Sequence, residues 1–121
     1  MNEDYVSFEV AKLLKEKGFR WGCQAFYTSD RELILSPVHT INDEMEDSDI
    51  ACPTLYMAQK WLRSKGYHVE VVYMRNDLWI YEILTIPHHD LVGLADRIIT
   101  NFISYEYALN AGILEAIKLV H

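Results

Sequence analysis

The chain has 121 residues, half of them apolar, with three Trp, eight Tyr and four Phe. That length fits one domain, 1–121, and such an apolar share closes a core without help from a metal or a disulfide. Its 18 acidic residues against 11 basic ones leave a net charge of −7, which repels phosphate backbones and excludes nucleic acid as an expected partner.

No apolar run approaches the roughly 18 to 20 residues that cross a bilayer. The acidic start Met1-Asn2-Glu3-Asp4 lacks the cationic and apolar regions of an export signal. A cytoplasmic protein with no membrane contact is therefore expected. Cys23 and Cys52, 29 residues apart and outside any CxxC spacing, then read as reduced thiols.

A hydroxyl residue followed four positions later by alanine occurs three times, at Ser7 to Ala11, Thr54 to Ala58 and Ser104 to Ala108. Each hydroxyl is placed to accept a bond from an unpaired N–H of a first helical turn, so each marks a helix start. The three copies fit a duplication or three independent caps equally well. Lys17-Gly18-Phe19 and Lys65-Gly66-Tyr67 supply the matching stops, a cation and a glycine followed by an aromatic.

The first helix is expected from Ser7 to Lys17, with Val6, Val10, Leu13 and Leu14 as its inward stripe. A strand from Cys23 to Thr28 follows, then a turn at Ser29-Asp30-Arg31 and a return strand from Glu32 to Ser36 that ends at Pro37. Trp21-Gly22 marks a bulge or a tight bend before this hairpin. The segment from Thr40 to Asp49 has no period and carries Asp43, Glu44, Glu46, Asp47 and Asp49, the mark of a solvated loop. A calcium loop counted from Asp43 needs glycine where Ser48 stands and a bidentate Glu where Thr54 stands.

Pro53-Thr54 opens the second helix, with Leu55, Ala58 and Leu62 on its stripe, Met57 and Trp61 beside it, and Lys60, Arg63 and Lys65 as a solvated basic face. A second hairpin turns at Asn76-Asp77. That turn sets Met74 opposite Trp79, Val72 opposite Tyr81 and Glu70 opposite Ile83, with Tyr73 and Ile80, Val71 and Glu82, and Val69 and Leu84 paired on the other face. Both faces are largely apolar, whereas a small sheet normally wets one. The face holding Val72, Met74, Trp79 and Tyr81 thus needs cover from the third helix, from a second copy of the chain or from a small ligand, and these four are the candidate binding residues.

Beyond it, Leu91 to Arg97 suits a short helix and Ile98 to Ile103 a strand. The third helix is marked by Tyr105, Ala108, Leu109, Gly112, Ile113, Ala116, Ile117 and Val120, with Ala108, Gly112 and Ala116 forming an edge that permits close approach. The expected fold is α+β in the order α-ββ-α-ββ-α, two hairpins forming a small antiparallel sheet packed by three helices.

Chemistry is sparse. Cys52 precedes the mouth of the second helix, where the helix dipole favours thiolate, which opens a cysteine-dependent enzyme as one reading and a buried thiol as the other. His88-His89-Asp90 reads as a turn after Pro87, since neighbouring residues of an extended chain point apart and do not converge on a metal. No GxGxxG, P-loop, HExxH or GxSxG is present. The expectation is no cofactor, no metal and no catalytic residue.

The stretch from Tyr5 through Phe19, the run from Cys52 to Arg63, His68-Val69-Glu70-Val71 and Ser104-Tyr105-Glu106-Tyr107-Ala108-Leu109 together resemble a family of small uncharacterised proteins of Bacteroides and related gut bacteria, often found in phage or mobile-element regions. The family has no established activity, so the resemblance transfers no site. It implies a bacterial cytoplasm. The combined expectation is a non-enzymatic binding or interaction protein that self-associates as a homo-oligomer, with a binder of a small nucleotide signal as the alternative and an enzyme using Cys52 behind it.

Overall fold

The computed structural model describes residues 4–92 and 101–121. In chain order it contains α1 (Phe8–Glu16), β1 (Cys23–Tyr27), β2 (Leu33–Thr40), a 3-10 turn (Asn42–Glu44), β3 (Ile50–Ala51), α2 (Leu55–Ser64), β4 (Tyr67–Arg75), β5 (Leu78–Thr85) and α3 (Tyr105–Ile117). The fold is α+β, and its element order broadly matches the expected one, with the short strand β3 added before α2. The expected helix at 91–97 and strand at 98–103 fall largely outside the described residues.

All three helix starts are capped as the hydroxyl pattern requires. Ser7 Oγ accepts from Val10 N at 3.3 Å, Thr54 Oγ1 from Met57 N at 3.1 Å and Ser104 Oγ from Tyr107 N at 3.1 Å. The stops hold too: Gly18 at φ 87° and Gly66 at φ 96° take the left-handed conformation that only glycine adopts without strain. After Gly18 the chain turns so that Phe19 N reaches back to Leu14 O at 2.9 Å and its ring enters the core at 1% exposure.

Two features depart from the expected strands. The two hairpins do not share a sheet: one sheet has the order β2-β1-β3, and β4-β5 stands apart. Both edges of β1 are taken, by β2 and by β3, while the outer edge of β4 is met by α2, whose Gln59 Nε2 donates to Val69 O at 2.7 Å. Next, β2 runs through Pro37 to Thr40. It lies at a sheet edge and bulges over residues 36–39, since Ala25 pairs with Leu35 but Cys23 pairs with Thr40; an edge bulge leaves no ladder position that needs the missing proline N–H. The acidic loop keeps Asp43, Glu44, Glu46 and Asp47 exposed, as expected, and is also tied to the rest of the fold. The Asn42 side chain donates to Phe19 O at 3.0 Å and accepts from Ala51 N at 2.8 Å, and Lys15 Nζ binds the Asp47 and Asp49 carbonyls at 2.8 and 3.1 Å.

The core forms where α1, α2 and α3 meet the two sheets. Val6, Val10, Ala11 and Leu14 come from α1 and its approach, Leu55, Ala58, Trp61 and Leu62 from α2, and Leu109, Ile113, Ala116 and Ile117 from α3. Helix α3 touches α1, α2, β4 and β5, which makes it the element that joins the halves. Asn110 fastens it to α1: its Oδ1 accepts from Ser7 N at 2.9 Å and its Nδ2 donates to Ser7 Oγ at 3.2 Å.

Helix α3 lies on the hairpin through Gly112. A Cβ there would stand 2.6 Å from Val69 Cγ1 and 2.9 Å from Tyr81 Cγ, closer than packed atoms tolerate, so the helix sits where only glycine fits. At Gly18 the space is open and only the positive φ resists a side chain. Gly112→Leu should therefore lower stability by about 3 kcal/mol or more through overpacking, against about 1 kcal/mol for Gly18→Ala from left-handed strain. Urea unfolding followed by Trp fluorescence checks the order, and a Gly112→Leu protein as stable as the wild type would mean that α3 is seated elsewhere.

Candidate functional site

The second hairpin turns at Asn76 and Asp77, as expected, with both residues left-handed at φ 52° and 61°, the type I′ geometry that matches strand twist. Arg75 faces Leu78, the register such a turn dictates. The register then shifts by one, because the next pair is Tyr73 with Trp79. Met74 is the extra residue of a β-bulge, and beyond a one-residue shift every side chain changes face.

The pairs are Val72 with Ile80, Val71 with Tyr81 and Val69 with Ile83. This corrects the expected pairing of Met74 with Trp79 and of Val72 with Tyr81. The four candidate residues are not brought together. Trp79 and Tyr81 share the face of Val69 and Val71 that receives α3, so the protein's own third helix supplies their cover. Val72 and Met74 lie on the opposite side, Val72 half-buried and Met74 exposed.

The α3-facing side carries a run of rings out to the surface. Tyr73 and Trp79 meet edge to face with centroids 5.0 Å apart, Trp79 and Tyr105 do the same at 5.5 Å, and Tyr81 lies 6.1 Å from Phe102. Phe102 extends the β5 edge, exchanging both backbone bonds with Trp79 at 2.8 Å. Such T-shaped contacts fix ring orientation. The outer rim is wet, with Tyr105 at 41% and Ile103 at 76% exposure.

Tyr105 also forms a wall of a cleft of about 360 Å³ between the first turns of α2 and α3, lined by Asp4, Thr54, Leu55, Tyr56, Gln59, Tyr105, Glu106 and Leu109. Three of the first-turn donors beside it are occupied: Leu55 N bonds Asp4 O at 2.9 Å, and the caps at Thr54 and Ser104 hold Met57 N and Tyr107 N. Its ionisable side chains, tyrosines aside, are two carboxylates. In the sequence Ser104-Tyr105-Glu106 marks a helix start and Tyr105 opens the apolar stripe of that helix. Its likeness to Ser7-Phe8-Glu9 was the available signal, but the contribution of Tyr56 and Asp4 depends on tertiary packing.

A second cavity, of about 130 Å³, is lined by Tyr5, Gly22, Cys23, Gln24, His39, Cys52, Pro53, Thr54 and Met57. Glycine at 22 leaves room for the His39 imidazole, whose Nδ1 would stand 3.1 Å from an added Cβ. Both thiols and a histidine thus line one space. Yet burial pushes each thiol up from 9.0 to about 12, and each sulfur faces a backbone carbonyl, Cys23 that of Trp21 and Cys52 that of Val6, both at 3.5 Å. Desolvation overrides the helix dipole at Cys52. Tyr27 is also raised, first by burial and then by Cys52, and its hydroxyl donates to Val6 O at 2.7 Å. Among the described residues no group of three or more His, Cys, Asp and Glu is arranged to hold a metal.

A thiol raised in the native state keeps its proton where the unfolded chain has lost it. Stability should therefore be flat below the unfolded value of 9.0 and fall as pH rises from there towards about 12. At pH 8 a disulfide reagent should modify both cysteines only as fast as the protein opens. Rapid labelling of native Cys52 would instead show an accessible thiolate. Set against protein-family models, curated proteins and solved structures, the chain matches none, so the reading of these sites rests on their own geometry.

Proposed function

We propose that this is a non-enzymatic binding protein that meets other protein chains, a second copy of itself foremost, through the aromatic surface formed by Tyr73, Trp79 and Tyr105. The single observation behind the reading is that run of edge-to-face rings, held from below by α3 and open at its rim. Rigid aromatics offer large contact area at small entropic loss, which is why they concentrate in interfaces. Ile103 and Tyr73 extend the apolar rim. Identical chains meet most simply about a two-fold axis.

The setting we infer is the cytoplasm of a bacterium carrying phage or other mobile elements, on the strength of the resemblance in the first two helices. A nucleotide signal is the weaker reading. It would need cations facing its phosphates, and the aromatic cleft offers Asp4 and Glu106 instead. Elsewhere Lys15 and Arg20 share a cavity, but Lys15 binds the loop carbonyls and Arg20 pairs with Asp43. The Cys52 enzyme is weaker still, since its thiol is held protonated.

Analytical ultracentrifugation over a concentration series tests self-association. Two acidic surfaces repel at range and attract through apolar contact, so added salt should tighten the dimer by screening. The double variant Tyr73→Glu, Ile103→Glu should sediment as a folded monomer. A wild type that stays monomeric at every concentration and salt would end the self-association reading.

A further inference from the structure

The cavity of about 130 Å³ beside β1 is lined by both cysteines of the chain together with Met57. Cys23 opens β1, Cys52 follows β3 and Met57 belongs to the first turn of α2. Cys23 Sγ lies 4.0 Å from Met57 Sδ. Phe26 of β1 pairs with Ala51 of β3, and the ladder continues as Cys52 N donates to Ala25 O at 2.9 Å. Residues opposite one another share a sheet face, and so do residues two apart on one strand. Cys52 therefore lies on the buried face that carries Ala25 and Cys23.

On that face Cys23 and Cys52 are diagonal neighbours, a spacing of about 7 Å. A disulfide needs Cβ atoms about 4 Å apart, so the pair is set too wide for one. An ion spans more. At metal–sulfur distances of about 2.3 Å, three sulfurs around one ion stand about 4.0 Å from each other, which is the separation that Cys23 and Met57 already have.

We propose that Cys23, Cys52 and Met57 form a binding site for one copper(I) ion. Thiolate and thioether are soft donors, the kind that selects this ion. A structural zinc site takes four ligands in a tetrahedron, and among the described residues no group of three or more His, Cys, Asp and Glu is arranged to hold a metal. The third donor here is a thioether, and hard cations, which take oxygen ligands, find none among the three side chains.

Binding exchanges protons for the ion. Both S–H bonds break, two thiolate–copper bonds form, Met57 Sδ adds a third through its lone pair, and two protons leave to solvent. Copper stays in its +1 state throughout, so no oxidant or reductant is consumed. The thiols give up only weak contacts, those to the carbonyls of Trp21 and Val6 at 3.5 Å. Gln24 and His39 line the same cavity and are exposed, so the space reaches solvent on their side. The site stands apart from the aromatic surface, since Tyr73, Trp79 and Tyr105 are not on its lining.

The test is competition for copper(I) between the full chain and bicinchoninate under anaerobic, reducing conditions. The wild type should withdraw one equivalent, and with two protons released its affinity should rise about a hundredfold from pH 6 to pH 7. X-ray absorption of the loaded protein should show a shell of sulfur alone. Cys23→Ala and Cys52→Ala should each abolish the withdrawal, and Met57→Leu, a volume-conserving exchange, should weaken it. Circular dichroism reports whether each variant is folded; where an alanine variant is not, Met57→Leu and the absorption spectrum decide.

No withdrawal by the wild type, a shell of nitrogen or oxygen, or undiminished affinity in any folded variant of the three would overturn the proposal. The Tyr73→Glu, Ile103→Glu protein should take copper as the wild type does, so the dimer and the copper site are read separately.

Discussion

The close approach at Gly112 governs the rest of the structure. A helix lying on a sheet is normally held off by its own side chains, whereas here α3 comes down until a single methyl group would collide with Val69 and Tyr81. Glycine in a helix interior costs about 1 kcal/mol against alanine, and the buried contact offsets it. Three consequences follow from that depth. Asn110 comes within reach of Ser7 and ties the N-terminal half to the hairpin. The start of α3 is carried up to Trp79, so that Tyr105 completes the run of rings. And the first turns of α2 and α3 are left side by side with a cleft between them.

Local chemistry was legible in the residues and long-range geometry was not. Ser7, Thr54 and Ser104 announce three helix starts because a cap needs only its own neighbours, and Gly18 and Gly66 announce stops for the same reason. The Asn76-Asp77 turn was readable from residues that tolerate the left-handed region. What followed it was not. The bulge at Met74 displaces the pairing by one residue. That single shift turned a reading of four residues on one face into two residues on each. Pro37 misled in a similar way: proline ends a central strand, but at an edge with a bulge the strand continues past it.

The same limit explains why the cysteines were ambiguous. Cys52 lies just before Pro53 at the mouth of α2, where a helix dipole lowers a thiol's pKa, and sequence spacing cannot say how much water the sulfur keeps. In the structure it keeps almost none, with 0% exposure and the Val6 carbonyl at 3.5 Å. Desolvation of a full charge outweighs the partial charge of a helix end, and the thiol stays neutral. His39 was equally invisible as a neighbour, because it arrives by way of the bulge in β2 against Gly22.

The two Ser-aromatic-Glu turns show how one local pattern acquires different uses. Beside α1 the hairpin turn at Arg31, left-handed at φ 64°, aims a guanidinium back over Phe8 and Glu9. That contact is internal and exposed, so it adds little to stability, but it displays the geometry in which this kind of turn holds arginine. Beside α3 the neighbouring element is the start of α2, which contributes Tyr56 and Gln59 to the cleft lining. The cleft and the aromatic rim share Tyr105, so one residue of the α3 start belongs to both features.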